Sequence, residues 1–288
     1  MTNETVVQAA PLQQEPSIDP AAAPKVLLLG EIGSGKTRSI RTLVEAGIEV
    51  FFIATEPGFE TLLGDIPPDK LHWTYVQAYA SSMSSLMATA KLVQQYDTEQ
   101  IKKMPGVNRQ KYNQWFDLLN ACNNFVDART GTAYGDVFEL KPHQALVIDS
   151  LSGINNMAVN LLAGDKPCMS WPEYDACQFN IRQFVNTLTQ GLKCWFVLTA
   201  HIERETDPAT GLTRLMASTV GKALAPQLPK FFSEVILCKK RLVGDKLEWV
   251  WDNIDPDARL KFRNLPPAPN HRPDFKTIKD NWEKKTQY

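Results

Sequence analysis

Short apolar runs alternate with longer segments of helical periodicity over most of this chain. The apolar runs predict strands at 25–29, 49–54, 72–76, 145–149, 194–200, 233–238 and 246–251. Apolar positions spaced three and four residues apart predict helices at 36–46, 82–96, 109–127, 151–163 and 173–191. Several runs are almost wholly apolar, as expected for central parallel strands buried on both faces. The pattern predicts an α/β fold with a mostly parallel sheet, and the closely spaced last two strands predict an antiparallel edge.

The two ends of the chain differ in composition from the body between them. Residues 1–24 hold four prolines, three acidic residues and no Lys or Arg. Such a segment cannot bury enough apolar surface to offset the entropy of ordering, so we expect a disordered tail. A second Pro-rich stretch begins at residue 266. We therefore expect one domain at 25–265, then a Pro-rich linker and C-terminal segment at 266–288, which is either a docking helix or a tail.

Composition excludes several classes of protein. The 288 residues carry a formal net charge of −1, which argues against a polybasic protein that binds nucleic acid by bulk attraction. The five cysteines include no C-x-x-C pair, so a zinc ribbon or a disulfide framework is not expected. No apolar run approaches the ~18 residues of a membrane span, and the N-terminus lacks the pattern of a signal peptide. We expect a cytoplasmic protein that has no membrane partner.

A glycine-rich motif follows the first predicted strand and precedes a helical pattern. Its sequence, G-x-x-x-x-G-K-T, is that of a phosphate-binding loop. Glycines let consecutive backbone N–H groups face a phosphate, and the start of the helix adds a partial positive charge. The candidate nucleotide-binding residues are Gly30, Glu31, Ile32, Gly33, Ser34, Gly35, Lys36, Thr37 and Arg38. In this reading Lys36 contacts the β- and γ-phosphates of ATP, and the Thr37 hydroxyl is a ligand for Mg²⁺.

Two acidic residues at strand ends complete the candidate site. Asp149 ends the run Ala-Leu-Val-Ile-Asp and is the second candidate ligand for Mg²⁺. No glutamate follows Asp149, so the residue that orients the attacking water must come from elsewhere. Glu56 follows the second predicted strand, and we place it at the same rim as Lys36, assuming that its strand neighbours the strand of the phosphate loop. The alternative is that Glu56 only caps a turn.

These motifs together resemble those of the RecA-like ATPases. The resemblance covers residues 25–240 and also rests on the run Phe-Val-Leu-Thr-Ala-His that ends at His201. In that family a polar residue at this place senses the γ-phosphate, which implies a sensor role for His201. The segment 216–240 looks like compact, phage-encoded members of the family. Some of these act with single-strand annealing proteins, so the resemblance implies a RecA-like ATPase domain and the host cytoplasm.

The family resemblance also implies contacts with single-stranded DNA. A polar loop after His201 contains Arg204 and Arg214, which are candidate phosphate contacts, although its acidic residues leave it without net positive charge. A second loop ends at Trp171, which is a candidate for stacking on a base; the alternative is a core or interface tryptophan. The excess of basic residues over 230–288, 13 against 9 acidic, is either a solvated surface or a path for a DNA backbone.

RecA-like enzymes usually complete each ATP site with a basic residue from a neighbouring subunit. Lys230 matches that place in the family, and Lys222 and Arg241 are alternatives. The resemblance thus implies a homo-oligomer, with an annealing or single-strand-binding protein as a further candidate partner. Taken together, the sequence predicts a Mg²⁺- and ATP-dependent ATPase that acts on single-stranded DNA in phage-type recombination or replication. The alternatives are a P-loop switch or assembly ATPase without DNA, and a small-molecule kinase.

Overall fold

Strands and helices alternate through residues 22–78, 82–206, 211 and 213–286, which the computed structural model describes. The strands are β1 (Lys25–Gly30), β2 (Glu49–Ala54), β3 (Leu71–Tyr75), β4 (Phe125–Val126), β5 (Ala133–Gly135), β6 (Gln144–Asp149), β7 (Trp195–Thr206), β8 (Thr213–Ala217), β9 (Glu234–Val243) and β10 (Lys246–Asp252). The α-helices are α1 (Lys36–Ser39), α2 (Arg41–Glu45), α3 (Met83–Gln95), α4 (Thr98–Lys103), α5 (Gln114–Asn123), α6 (Leu151–Ala163), α7 (Trp171–Gly191) and α8 (Phe275–Thr286).

One large sheet carries most of these strands. Its order is β10-β9-β1-β7-β6-β2-β3, and β8 pairs with the far half of β7. The strands from β9 through β3 are parallel, whereas β10 and β8 are antiparallel to their neighbours. The predicted α/β class, with a mostly parallel sheet and an antiparallel C-terminal edge, is therefore confirmed. No helix among the described residues is long and apolar enough to cross a membrane.

Both faces of the sheet are buried, which explains why the central strands are almost wholly apolar. Leu27 and Leu29 of β1 face a cluster that includes α5, α6 and α7. Val26 and Leu28 point to the opposite face, where Leu43 of α2 belongs to a second cluster. Side chains that alternate along a strand thus enter two different cores, as the period of two requires.

The C-terminal segment packs on the second of these cores. Phe275 and Ile278 of α8 are fully buried in the cluster that contains Val26. The Phe275 ring meets the Trp251 ring edge to face, with centroids 5.0 Å apart, and its backbone N–H donates to Thr42 Oγ1 over 3.0 Å. Of the two alternatives for this segment, the structure shows the docked helix.

Local structure differs from the expectation at two predicted helices and near the N-terminal tail. The predicted helix at 109–127 is reduced to α5, with a single 3-10 turn before it and β4 after it. The predicted helix at 36–46 is divided into α1 and α2 around Ile40. The expected disordered tail lies outside the described residues up to residue 21, but Ala23 is already buried in the second core.

Candidate nucleotide site

The phosphate loop connects the end of β1 to the start of α1. Gly33 and Gly35 have positive φ angles of 75° and 84°, a region that side chains rarely adopt. A Cβ atom on Gly30 would meet Ser34 Oγ and lie 2.7 Å from the carbonyl oxygen of Cys238. Glycine is therefore required at these positions by backbone conformation or by close packing, which are the two reasons a phosphate-binding loop needs it.

Lys36 lies across the mouth of this loop. Its Nζ donates hydrogen bonds to the carbonyl oxygens of Gly30 (2.9 Å) and Glu31 (3.0 Å), and lies 3.4 Å from Nδ1 of His201. Burial lowers the pKa of Lys36 below its ordinary value, because desolvation disfavours the charged ammonium. Nearby carboxylates of Asp149 and Glu56 oppose this shift. A partly desolvated ammonium at a loop mouth is well suited to pair with an anionic phosphate.

A buried hydroxyl in the same loop has an unused capacity for hydrogen bonding. Ser34 Oγ is buried and has no hydrogen-bond partner among the described residues. A buried polar atom of this kind is costly unless something pairs with it. Ile32 of the motif, by contrast, is 82% exposed, and Arg38, the residue that follows the motif, is also exposed. The loop therefore fits a phosphate group on its inner side.

Thr37 and Asp149 meet at the base of the loop. Thr37 Oγ1 donates to Asp149 Oδ2 over 2.5 Å, and Thr199 Oγ1 donates to the other carboxylate oxygen, Oδ1. Thr199 was not identified from the sequence, although it lies two residues before His201 and therefore on the same face of β7. The hydroxyl and the carboxylate are oxygen ligands of the type that Mg²⁺ prefers. Among the described residues, no cluster of three or more His, Cys, Asp or Glu could hold a metal. A Mg²⁺ ion here would thus need phosphate and water oxygens.

Glu56 lies at the same rim, but it arrives there by a different route from the one predicted. β2 pairs with β6 and β3, not with β1, so the assumed neighbouring of β2 and β1 is wrong. Instead β7 lies between β1 and β6, and Ala54 of β2 is opposite Asp149. Because all these strands are parallel, their carboxyl ends still share one rim. Glu56, just after the end of β2, therefore lies on the same rim as Asp149 at the end of β6.

Two neighbours hold the Glu56 carboxylate. His201 Nε2 lies 3.7 Å from Oε2, and Ser150 Oγ donates to the same oxygen over 2.7 Å. The pKa of Glu56 is lowered from its ordinary value, mainly by His201; burial opposes the shift and the Ser150 hydroxyl adds to it. Ser150 is a second residue that the sequence analysis missed. Its only signal was its position directly after Asp149, where the sequence analysis noted that no glutamate follows.

His201 connects Glu56 to Lys36. Nδ1 faces the Lys36 ammonium, which can only donate, so Nδ1 must accept in this pair. Nε2 faces the Glu56 carboxylate, which can only accept while it is ionised, so Nε2 carries the proton. The structure brings together Lys36, Thr37, Asp149, Glu56 and His201, the five residues proposed for chemistry and metal binding.

The candidate DNA residues after His201 lie on a β-hairpin rather than on a loop. β7 extends to Thr206 and pairs with β8, and the intervening residues 207–210 and 212 lie outside the described residues. Arg204 is opposite Leu215, whereas Arg214 is opposite Glu205. Since side chains of adjacent residues alternate between faces, Arg204 and Arg214 lie on opposite faces of the hairpin. Both are exposed, but they do not form one track for a DNA backbone.

Trp171 is the first residue of α7 and is 84% exposed, so it is not a core residue. The loop before it is firmly held. Asp165 accepts hydrogen bonds from Tyr112 and from Asn108 Nδ2, and Lys166 Nζ donates to Glu173. The Trp171 and Tyr174 rings lie 6.3 Å apart beside a cavity that is also lined by two lysines of α4, Lys102 and Lys103.

Lys230 lies far from the phosphate loop of its own chain. It lies in the 3-10 turn Leu228–Phe231, shortly before β9, whose first residues pair with the start of β1 at the rim opposite the one that holds Lys36. Its Nζ lies 5.0 Å from the centre of the Phe231 ring, and it has no carboxylate partner among the described residues. The alternatives are both paired: Lys222 with Glu205 and Arg241 with Glu248, each at 3.0 Å.

Comparisons with known proteins give similarity at the level of the fold only. No family model matches the chain, and no curated protein matches it. Among solved structures, a KaiC-like protein from Pyrococcus horikoshii OT3 aligns with 14% identity over 86% of this chain and 83% of its own, with a TM-score of 0.37. The flagellar accessory protein FlaH from Methanocaldococcus jannaschii aligns over the same shares with 9% identity and a TM-score of 0.37. At such low structural similarity, neither neighbour informs the activity of this chain.

Proposed function

We propose that this chain is a Mg²⁺-dependent, RecA-like ATPase that acts on single-stranded DNA in phage-type recombination or replication. One observation supports the ATPase most strongly. The phosphate loop, the Thr37–Asp149 pair and a carboxylate held by two partners share a single rim of a parallel sheet. Phosphoryl transfer needs these three parts, because it depends on positioning and on stabilisation of charge.

The residues divide the reaction between them. The ammonium of Lys36 contacts the β- and γ-phosphates, and Thr37 and Asp149 would hold Mg²⁺, which would neutralise phosphate charge. Glu56 has a lowered pKa and is therefore an ionised carboxylate at neutral pH. It accepts a hydrogen bond from water and aims the water oxygen at the γ-phosphorus. His201 contacts both Lys36 and Glu56, so movement of Lys36 onto a phosphate changes the partner of Nδ1.

Exposed aromatic and basic groups support the DNA role. Trp171 and Tyr174 offer ring faces beside Lys102 and Lys103, a combination suited to bases and phosphates of a single strand. On the β7–β8 hairpin, one arginine is available on each face. The resemblance of the segment 216–240 to compact phage proteins adds an annealing or single-strand-binding protein as a partner within the proposal.

The same geometry supports an oligomer. Lys230 is exposed at the rim opposite its own phosphate loop. It is too far around the sheet to serve that loop, so a catalytic role for Lys230 requires a neighbouring copy of the chain. A basic residue that arrives in this way stabilises charge on the transferred phosphoryl group.

An ATPase assay with and without single-stranded DNA tests the proposal. We expect DNA to stimulate hydrolysis, and the stimulation to fall as salt is raised, because phosphate contacts release counterions. Trp171→Ala should weaken DNA binding about 5- to 150-fold, the range for loss of one stacked base. The matched control is Phe179→Ala, which removes a half-exposed ring from the same helix.

Two outcomes would redirect the proposal. ATP hydrolysis without salt-sensitive DNA binding would favour the switch or assembly ATPase. The observation that favours this alternative is that Arg204, Arg214 and their acidic neighbours together carry no net positive charge. Transfer of phosphate to a nucleoside or another small acceptor would favour the kinase.

A further inference from the structure

A basic cavity of about 520 Å³ lies between the C-terminal half of α8 and the segment 262–267. Its charged lining consists of Arg263, Lys284 and Lys285, and no acidic residue of the described chain lines it. All three basic residues are exposed, and the Phe262 ring beside them is 45% exposed. The cavity therefore combines three cations with an accessible apolar ring, and it shares no residue with the candidate nucleotide site.

These cations have no carboxylate within ion-pair distance in the part of the chain that the structure describes. Lys285 Nζ donates to the backbone carbonyl oxygen of Arg263, a neutral partner that leaves the positive charge in place. The acid next to Lys284 along α8, Glu283, pairs instead with Lys279 at 3.6 Å. Because unneutralised like charges repel one another, this cavity favours an anionic ligand.

The start of β1 is connected to the wall of this cavity by two hydrogen bonds. The backbone N–H of Lys25 donates to Ser233 Oγ over 2.9 Å. The next residue, Glu234, is buried, and its carboxylate accepts from the backbone N–H of Arg263 over 3.0 Å. Glu234 thus holds the cavity wall from below without reaching the cations on its surface. Residues 1–21, which lie outside the described residues, join the fold on this side of the molecule.

The acidic residues nearest to β1 have the reach to enter the cavity. Ala23 is buried in the same core cluster as Leu265, which lines the cavity, and Ala22 before it is exposed. An extended chain spans at most ~3.3–3.6 Å per residue. Measured from Ala22, Asp19 can therefore extend about 10 Å and Glu15 about 25 Å.

The N-terminal tail has the chemistry that the cavity lacks. Residues 1–24 contain three acids and no Lys or Arg, and two of the acids, Glu15 and Asp19, enclose the apolar Ile18. A proline follows each of these two acids, and the residue before a proline is disfavoured in the helical region. The sequence thus predicts a segment that is already biased toward extended conformations, which lowers the entropy cost of ordering it on a surface.

We propose that segment 15–19 docks in the basic cavity of its own chain, with its two carboxylates on the exposed cations and Ile18 on the Phe262 ring. The docking is intramolecular, and a short link keeps the effective concentration on the order of millimolar. Ion pairs that are individually weak at an exposed site therefore suffice to hold the segment. This interaction surface is independent of the proposed nucleotide site.

Zero-length carbodiimide cross-linking of the full chain, followed by peptide mass spectrometry, tests this docking. Carbodiimide activates a carboxylate, and a lysine amine in contact with it then forms an amide with loss of water. Glu15 and Asp19 should link to Lys284 about 5-fold more than to Lys276, as one well-formed surface ion pair allows. Lys276 is the comparison because it is an exposed lysine of the same helix outside the cavity lining.

A charge variant separates docking from mere tethering. Arg263→Gln keeps both lysines but removes one cation of the cavity, so it should lower the yield of links to Lys284 and leave links to Lys276 unchanged. Arg272→Gln, which removes an exposed arginine outside the cavity lining, is the matched control. Salt near ~1 M shortens the screening length to about 3 Å and should act as Arg263→Gln does.

Mixing chains made with light and heavy nitrogen shows whose tail is linked. Each linked pair of peptides should carry a single isotope. Pairs that carry both isotopes would mean that a second copy holds the tail, and this would overturn docking within one chain. Equal yields at Lys284 and Lys276, or yields that ignore Arg263→Gln, would also overturn it. Protection of Lys284 from acetylation by single-stranded DNA would then assign the cavity to a DNA backbone.

Discussion

At the level of single residues, Glu56 differs from an ordinary surface carboxylate because Ser150 and His201 both hold it. Glu56→Gln keeps the shape of the side chain but removes its negative charge. We expect the variant to bind ATP and to hydrolyse it ~10²–10⁴-fold more slowly, the value of one positioned base. Single-turnover hydrolysis measured beside nucleotide binding checks this, with Glu60→Gln on the following 3-10 turn as the control. Hydrolysis at the wild-type rate would assign the role to another group.

Gly35 carries a backbone constraint that a binding measurement can detect. Its φ of 84° and its contact with Trp249 both oppose a side chain. Gly35→Ala should therefore distort the phosphate loop and weaken ATP binding at least ~10-fold, since the loop N–H groups no longer converge. Gly47→Ala is the matched control, because Gly47 has a φ of 78° and open space around its Cβ position. Equal loss of ATP affinity in both variants would mean that strain at a left-handed residue, not the loop, is responsible.

At the level of elements, α8 contributes to the core through a few residues. Phe275 is fully buried between Trp251 and Trp195. Phe275→Ala should lower the free energy of unfolding by about 3–5 kcal/mol, as expected for deletion of a buried aromatic ring. Chemical denaturation measures this, and Phe262→Ala removes a ring that is 45% exposed as the comparison. A small effect of Phe275→Ala would indicate that α8 detaches without loss of the core.

Apolar runs predicted the elements of the central sheet well, but they did not predict its strand order. The runs of β1, β2, β6 and β7 are apolar because each strand is covered on both faces, and that signal is local. Which strand lies beside β1 depends on how the helices cross the sheet, and no single apolar run carries that information. The expectation for β2 failed for this reason, while Glu56 still reached the correct rim because all the strands run in one direction.

The candidate site was predictable to the extent that its chemistry is carried by a contiguous motif. The phosphate loop is such a motif, and Asp149 ends a recognisable strand. Ser150, Thr199 and Trp249 were missed because they act through spatial neighbours: Glu56, Asp149 and Gly33, respectively. Trp249 and Gly33 are 216 positions apart in the sequence, so no local sequence pattern predicts their contact.

For the whole molecule, the position of Lys230 makes a prediction about assembly. Lys36→Ala and Lys230→Ala should each reduce hydrolysis at least ~10²-fold, because the first removes the cation of the phosphate loop and the second removes the proposed trans cation. A mixture of the two inactive variants should regain activity, since an intact Lys36 of one copy can meet an intact Lys230 of the next. ATPase rates over a range of mixing ratios measure this. Each variant mixed with wild type is the control, and a mixture that remains inactive would remove Lys230 from the site.

The length of β7 has a mechanical consequence, because β7 is one uninterrupted strand of 12 residues. Its first half pairs with β1 and β6, and its second half, directly after His201, pairs with β8. The five residues beyond His201 extend about 17 Å at 3.3–3.4 Å per residue. A small rotation of the strand at His201 would therefore become a larger displacement at Thr206.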